Sequence, residues 1–302
     1  MTEARTDSAV QQAANVIADA EALLIAAGAG MGADSGLPDF RSAQGFWRAY
    51  PPLEKLGLSF EKMAQPHWFA AQPEMAWAWY GHRQQLYRET APHEGYRLLR
   101  QWAQVMTGGS FVFTSNVDGH FRFADFPADR IVECHGTIHL YQCTAPCKSD
   151  IWVGDPPDMQ IDLTSLWAFG ELPRCPDCGA VARPNILMFH DHAWIAEATR
   201  QQRTRYARWL DGLSGKRVVV IECGAGTAIA TTRIEGERIA ERFEGKLVRI
   251  NPDASEEHER VIAVRLPALQ ALTRIQQGLA EDFRRRCDEA VLMRGEETGA
   301  VP

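Results

Sequence analysis

Seven short apolar runs punctuate this sequence, and their spacing limits the kind of fold it can adopt. They are LLIAAG (23–28), FVFTSN (111–116), RIVECHG (130–136), NILMF (185–189), RVVVIECG (217–224), KLVRIN (246–251) and RVIAV (260–264), most of them closed by Gly or Asn. Continuous apolar runs of this length between loop signals suit strands buried on both faces of a parallel sheet. Helix-length segments at 92–106, 196–213, 232–244 and 266–287 separate most of them. Alternating strand and helix is the pattern of a doubly wound, Rossmann-like α/β domain. Before the first strand, Val10, Ala13, Val16, Ile17 and Ala20 recur at helical spacing, which predicts a surface helix packed on the body.

Two stretches break the rhythm. Residues 42–91 hold no strand run but many aromatics, among them Phe46, Trp47, Tyr50, Trp68, Trp77, Trp79 and Tyr80. We read them as a helical insertion with an aromatic core, since a nucleic-acid stacking platform would interleave basic residues. Residues 141–182 carry all the paired cysteines around a Pro/Asp-rich middle, and read as a small zinc-binding module. The expected organisation is a Rossmann-like domain from 1–41, 92–140 and 183–291, interrupted by the insertion at 42–91 and the module at 141–182, with a tail at 292–302.

Composition enters where it excludes partners. Thirty-nine acids against 32 bases leave a net charge of −7, a poor magnet for nucleic acid or an anionic membrane. The longest weakly polar run, 23–33, is far short of the roughly 20 residues that span a bilayer. The polar, mixed-charge N-terminus has no signal-peptide pattern, so a cytoplasmic protein is expected. Seven cysteines, with Cys134, Cys223 and Cys287 alone and four others in two tight pairs, fit buried thiols plus a metal site better than a disulfide framework. Cys143-x3-Cys147, twenty-seven intervening residues and Cys175-x2-Cys178 can close a tetrahedral zinc site, with Pro176 and Gly179 favouring the turn. Four protein thiolates leave no position for water, so such a zinc is structural.

The first strand exits into Gly28-Ala29-Gly30-Met31-Gly32-Ala33-Asp34-Ser35-Gly36, and a second glycine cluster, Cys223-Gly224-Ala225-Gly226-Thr227, follows the strongest run. Glycines after a buried strand let the backbone turn sharply or approach a pyrophosphate, and a tight strand-to-helix turn alone also wants them. Two such exits in one sheet bring both loops to its carboxyl edge. Polar residues leave two further strands there: Thr114-Ser115-Asn116-Val117-Asp118, and Glu133-Cys134-His135-Gly136. A His at such an edge serves either as a structural residue or as a general base. His190 and His192 lack a third spaced ligand and read as loop side chains.

Taken in order, these segments resemble the sirtuin family. GAGMGADSGLPDFR (28–41) is similar to the signature Gly-Ala-Gly-x-Ser-x-x-Ser-Gly-Ile-Pro-Asp-Phe-Arg, TSNVD (114–118) to Thr-Gln-Asn-Ile-Asp, and ECHGT (133–137) to Glu-x-His-Gly-Ser. The cysteine pairs fall at the family's zinc position, ARPNILMF (182–189) is similar to Leu-Arg-Pro-x-Val-Val-x-Phe, and RIN (249–251) to a late Ile-Asn. The matches run in the family's order from about residue 23 to about residue 272.

The resemblance implies an NAD-consuming enzyme, usually a lysine deacylase that releases nicotinamide and O-acyl-ADP-ribose from an acyl-lysine protein or peptide. It assigns Gly28, Ala29 and Gly30 to the pyrophosphate, and Asp39, Phe40 and Arg41 to the cofactor, with Phe40 and Arg41 over the nicotinamide ribose. Ser115 and Asn116 fall to the ribose, Val117 and Asp118 to the nicotinamide amide, and Gly224, Gly226 and Asn251 to the adenosine half. His135 becomes the base on a ribose hydroxyl, with Asn116 and Asp118 completing the catalytic set. The chain departs from the pattern at several places: Gly32 replaces Ser, Ser115 replaces Gln, Ala225-Gly226 replaces Thr-Ser, and His190-Asp191 replaces Gly-Glu in the loop that clamps a substrate peptide. His120 stands where Leu-His is common, keeping a polar ring near the nicotinamide end. The altered clamp loop leaves mono-ADP-ribosyl transfer or NAD hydrolysis as an alternative use of the same pocket. A non-catalytic NAD-sensing scaffold is the third reading, although Asn116, Asp118 and His135 are all retained.

Overall fold

Among the described residues, eleven strands form in chain order: β1 (Ala22–Ala27), β2 (Ser110–Thr114), β3 (Ile131–Glu133), β4 (Gly136–Cys143), β5 (Ile151–Val153), β6 (Gln160–Asp162), β7 (Trp167–Phe169), β8 (Ala182–Ile186), β9 (Val218–Cys223), β10 (Lys246–Ile250) and β11 (Val261–Val264). The computed structural model describes residues 3–38, 43–145, 147, 150–155, 158–254 and 259–298. Six strands make one sheet in the order β11-β10-β9-β1-β2-β3, every pair parallel. Strand order reverses at β1, with β2 and β3 laid down on one side and β9 to β11 on the other. In open α/β sheets such a reversal opens a crevice at the carboxyl edge, where ligands sit.

The sheet is apolar on both faces because each face is covered. Along β1, Leu23, Ile25 and Ala27 join Val10, Ala13 and Ile17 of helix Glu3–Asp19, Leu99 and Trp102 of helix Glu94–Gln104, and Leu272 and Ile275 of helix Ala268–Gly278. The alternate residues Ala22, Leu24 and Ala26 face Tyr206, Trp209 and Leu210 of helix Glu197–Asp211 and Ile239 of helix Thr231–Arg242. A period of two along the strand thus supplies two cores from one run of residues.

A third core lies outside the sheet. Helices Ala43–Ala49, Pro51–Lys55, Phe60–Met63, Trp68–Ala71 and Pro73–Glu89 fill the aromatic stretch, and Phe46, Trp77 and Tyr80 pack in one cluster with Tyr141, Leu166 and Ala182 of the cysteine-bearing stretch. Trp77 Nε1 donates to the Ala182 carbonyl (2.9 Å), and the Tyr141 hydroxyl donates to Gln84 Oε1 (2.7 Å). The two interruptions of the strand–helix rhythm therefore share one interior.

Three expectations are corrected. The run 185–189 is no strand of the parallel sheet. Asn185 and Ile186 end β8, which pairs antiparallel with β4 in a separate three-stranded sheet β5-β4-β8, and Leu187 to Phe189 leave the strand altogether. Pro184 sits on this edge strand, where a missing N–H is tolerated. The segment 266–287 is two helices, Ala268–Gly278 and Glu281–Thr298, parted at Leu279, whose backbone is extended (ψ 143°). The second continues to Thr298, past residue 292 where the tail was expected.

Candidate active site

Because the six strands are parallel, the loops that follow β1, β2, β3, β9 and β10 leave the same edge. Two asparagines fasten those loops to one another. Asn116 Nδ2 donates to the Gly28 carbonyl (2.9 Å), while its own N–H is held by Thr114 Oγ1 (3.0 Å). Asn251 Nδ2 donates to the Ala225 carbonyl (3.2 Å), tying the β10 exit to the β9 exit. The glycine loops touch directly: a Cβ on Gly28 or Gly30 would stand 2.7 Å from backbone atoms of the Gly224-Ala225 turn. The Gly28 and Gly30 amides donate to the carbonyls of Cys223 (2.9 Å) and Gly224 (3.0 Å). These glycines are required by the contact between loops, whatever anion the edge receives.

A cavity of about 270 Å³ opens beside them, lined on one wall by Ala29, Ser115, Asn116, Val117, Asp118 and His135. Gly28, Gly30, Gly224, Gly226 and Asn251 surround the edge without lining this cavity, and Asp39, Phe40 and Arg41 lie outside the described residues. His135 is aimed by the turn after β3: Gly136 has φ +74°, and a Cβ there would fall 2.1 Å from the Asn185 carbonyl oxygen. The His135 carbonyl accepts from the Leu187 N–H (2.9 Å), joining the β3 exit to the loop after β8. The Ser115 hydroxyl is buried with no hydrogen-bond partner among the described residues, which suits a ligand hydroxyl. Asp118 is buried, and burial holds its carboxyl above the usual carboxylate range. Its Oδ1 accepts from the His120 N–H (2.9 Å), so it also caps the short helix His120–Phe123.

A second, aromatic wall of the lining comes from residues to which sequence reasoning gave no role at the site: Phe60, Tyr80, Arg83 and Tyr87, together with Leu187, Met188 and Phe189. Arg83 is 5 % exposed. Its Nη2 and Nε donate to the Tyr87 hydroxyl (2.8 and 3.2 Å), and its guanidinium carbon lies 4.8 Å from the Trp79 ring centre and 5.6 Å from that of Tyr80. Burial pushes the Tyr80 hydroxyl up, so this phenol stays neutral. The available signal was an arginine three residues after Tyr80 and four before Tyr87, a spacing that puts the three on one face of an aromatic-rich helix.

The clamp loop is anchored from beneath. Asp191 and Arg183 form a buried bidentate pair (2.7 and 3.0 Å), with side chains 0 % and 2 % exposed. Asp191 also accepts from the N–H groups of Met188 (3.4 Å) and Ala193 (3.2 Å), so the substituted residue holds the loop and does not face the cavity. His190 takes a left-handed turn (φ 56°), and neither His190 nor His192 joins a metal-ligating cluster among the described residues.

The four paired cysteines do form one, with all Sγ atoms within 4.8 Å of one another. Cys143 and Cys178 sulfurs are 3.5 Å apart, and those of Cys147 and Cys175 3.6 Å, far from the ~2.05 Å of a disulfide. A tetrahedron of ~2.3 Å metal–sulfur bonds has edges of about 3.8 Å, so the donors fit zinc. A larger hollow of about 700 Å³ at the opposite edge of the sheet holds charges that satisfy one another, such as Arg242 with Asp211 (3.2 Å), and carries no such convergence.

Comparison with known proteins agrees with this architecture. The Sir2 family model matches residues 28–206. A Thermus thermophilus NAD-dependent protein deacylase is 33 % identical over 183 residues, covering 60 % of this chain and 63 % of that protein. The chain thus matches somewhat under two thirds of that relative's length. A Pyrobaculum aerophilum NAD-dependent protein deacylase 2 is 29 % identical over 242 residues, covering 80 % and 84 %. A solved Sir2 homologue mutant–ADP-ribose complex superimposes with a TM-score of 0.65 at 22 % identity, over 92 % of this chain and 96 % of that one. The fold is that of the Sir2 proteins, and the chain belongs to the Sir2 family.

Proposed function

We propose that this chain is an NAD-dependent protein deacylase that transfers the acyl group of an acyl-lysine to ADP-ribose, releasing nicotinamide. The observation that carries the reading is the meeting of Ser115, Asn116, Asp118 and His135 on one wall of a single cavity at the strand-order reversal. NAD, the co-substrate, supplies the ribose carbon from which nicotinamide departs. Asp118 faces the nicotinamide amide and Ser115 a ribose hydroxyl, while Asn116 keeps the two loops in register. His135 takes the proton from a ribose hydroxyl so that this oxygen can attack the acyl carbon. The glycine exits, with Gly224, Gly226 and Asn251, receive the rest of the dinucleotide, as do Asp39, Phe40 and Arg41. The names of the Thermus and Pyrobaculum relatives support this activity.

The aromatic wall supports a finer reading. An arginine keeps its charge at every accessible pH, and Arg83, lining the same cavity as His135, favours acyl chains that terminate in a carboxylate over acetyl. The inward-facing Asp191, which holds the loop in place, supports deacylation over ADP-ribosyl transfer.

Cys143, Cys147, Cys175 and Cys178 would hold one structural zinc, remote from the proton transfers. Metal analysis should find about one zinc per chain, and well-folded protein with negligible metal would contradict it. Seven cysteines, none of them in a disulfide, fit a reducing compartment such as the cytoplasm. The test of the activity is product identity. With NAD and acyl-lysine peptides, mass spectrometry should find O-acyl-ADP-ribose and free lysine peptide in equal amounts. ADP-ribosylated protein or free ADP-ribose alone would favour the competing uses of the pocket.

A further inference from the structure

Behind Asp118 lies a second group of polar atoms that the proposed reaction does not use. His120 is 0 % exposed, and both its ring nitrogens lack a hydrogen-bond partner among the described residues. Tyr96, also 0 % exposed, has an unpartnered hydroxyl, and the two rings are neighbours, with centroids 5.8 Å apart. The polar groups around them are committed elsewhere. His93 Nδ1 accepts from the Gly95 N–H (3.0 Å), leaving Nε2 to donate to the Met31 carbonyl (2.9 Å). Ser35 Oγ accepts from the His93 N–H (3.0 Å), and Asp34 Oδ2 from the Leu269 N–H (2.7 Å). Burial pushes the Cys223 thiol up, so it stays a weak neutral donor.

An imidazole needs one donor and one acceptor, and burying both nitrogens unsatisfied costs more than a leucine at the same place would. A fold that keeps the ring there must satisfy it with something too small to count as a ligand from outside. Internal waters do this, typically with about three polar partners each. Tyr96 Oη, a His120 nitrogen and the Asp118 carboxyl make such a set. Asp118 adjoins this group: its Oδ1 accepts the His120 N–H (2.9 Å), and its Oδ2 lies beside Gly32 and the Leu37 side chain, where a Cβ on Gly32 would stand 3.5 Å from the oxygen and 3.1 Å from Leu37.

We infer that His120 and Tyr96 enclose an internal water site that fixes the Asp118 carboxyl, making His120 a positioning residue for nicotinamide recognition. The functional half of this inference rests on the deacylase reading; the water site does not.

Two measurements test it with His120→Leu, His120→Gln and Tyr96→Phe. Oxygen-17 relaxation dispersion of water counts long-lived internal waters without any turnover. The count should fall in His120→Leu and be kept in His120→Gln, and equal counts in the parent and His120→Leu would overturn the site. In exchange of labelled nicotinamide with NAD, the half-saturating nicotinamide concentration should rise about ten-fold in His120→Leu and about three-fold in Tyr96→Phe, with His120→Gln close to the parent. Melting temperature should hold or rise in His120→Leu, a combination that a merely structural residue would not give. An unchanged half-saturation in a variant that has lost the water would overturn the positioning role. A parent that releases no nicotinamide at all would instead sink the deacylase reading and leave the water count to decide the site.

Discussion

One cavity is lined in part by the β2 and β3 exits and in part by the helix Pro73–Glu89, and these two walls are held in different ways. On the first, a short hydrogen bond ties Asn116 to the β1 exit, another holds Asp118 within its own loop, and the turn at Gly136 sits tightly against the β8 backbone. On the second, Arg83 is placed by ring faces and one phenol, with Phe60 and Tyr80 shared with a core that has no part in the sheet. Polar chemistry at fixed positions needs a scaffold that cannot shift, and the carboxyl edge of a parallel sheet provides it. Selection among acyl chains needs shape and one charge, which a small aromatic core can vary without disturbing the sheet.

The comparison breaks most sharply at His135. His135→Ala should lower deacylation by ~100- to 10,000-fold while NAD binding, measured by calorimetry, stays near the parental affinity. Near-full turnover in that variant would take the base away from the first wall. Next in size is the anchor beneath the clamp loop. Asp191→Asn leaves the Arg183 guanidinium buried without its counter-charge, and should cost about 3–5 kcal/mol in denaturant unfolding. Replacing Glu94, whose pair with Arg97 is half exposed, should cost no more than ~0.5 kcal/mol. Equal costs would mean that the loop is held by something other than the Arg183–Asp191 pair.

The two walls were not equally visible in the sequence. Six apolar runs became the parallel sheet because buried strands need continuous apolar residues, and the polar letters that end them at 114–118 and 133–136 named the first wall. β4 was invisible for the opposite reason: GTIHLYQC mixes polar and apolar residues and is buried unevenly, so it carries no run. NILMF misled because its apolar residues line a cavity after the strand has ended. The second wall was hidden in composition. Tyr80 and Arg83 sit in a helix whose buried residues fill nearly its whole circumference, and from sequence an arginine there is indistinguishable from one that lies over the surface of a core.

A smaller effect separates the two roles of Asp118. Its carboxyl is raised by burial in the folded chain, from an ordinary value of 3.8. The folded state therefore holds that proton more tightly than the unfolded one, and stability falls as pH rises from about 3.8 through the folded value. Asp118→Asn, which still accepts the His120 N–H, should melt at or above the parental temperature at pH 7, with the difference closing toward pH 4. It should at the same time lose nicotinamide exchange. A variant that melts normally and exchanges nicotinamide at the parental rate would leave Asp118 as a helix cap alone.

That the walls act separately, one for the reaction and one for the choice of acyl chain, is tested most directly by Arg83→Met. The measurement is kcat/KM on two peptides that differ only in the acyl group, one acetyl and one ending in a carboxylate. The parent should prefer the acid-terminated chain, and the variant should lose about 10- to 100-fold on it while staying within about three-fold on acetyl-lysine. A variant that keeps the parental preference, or loses both substrates equally, would contradict the division between the two walls.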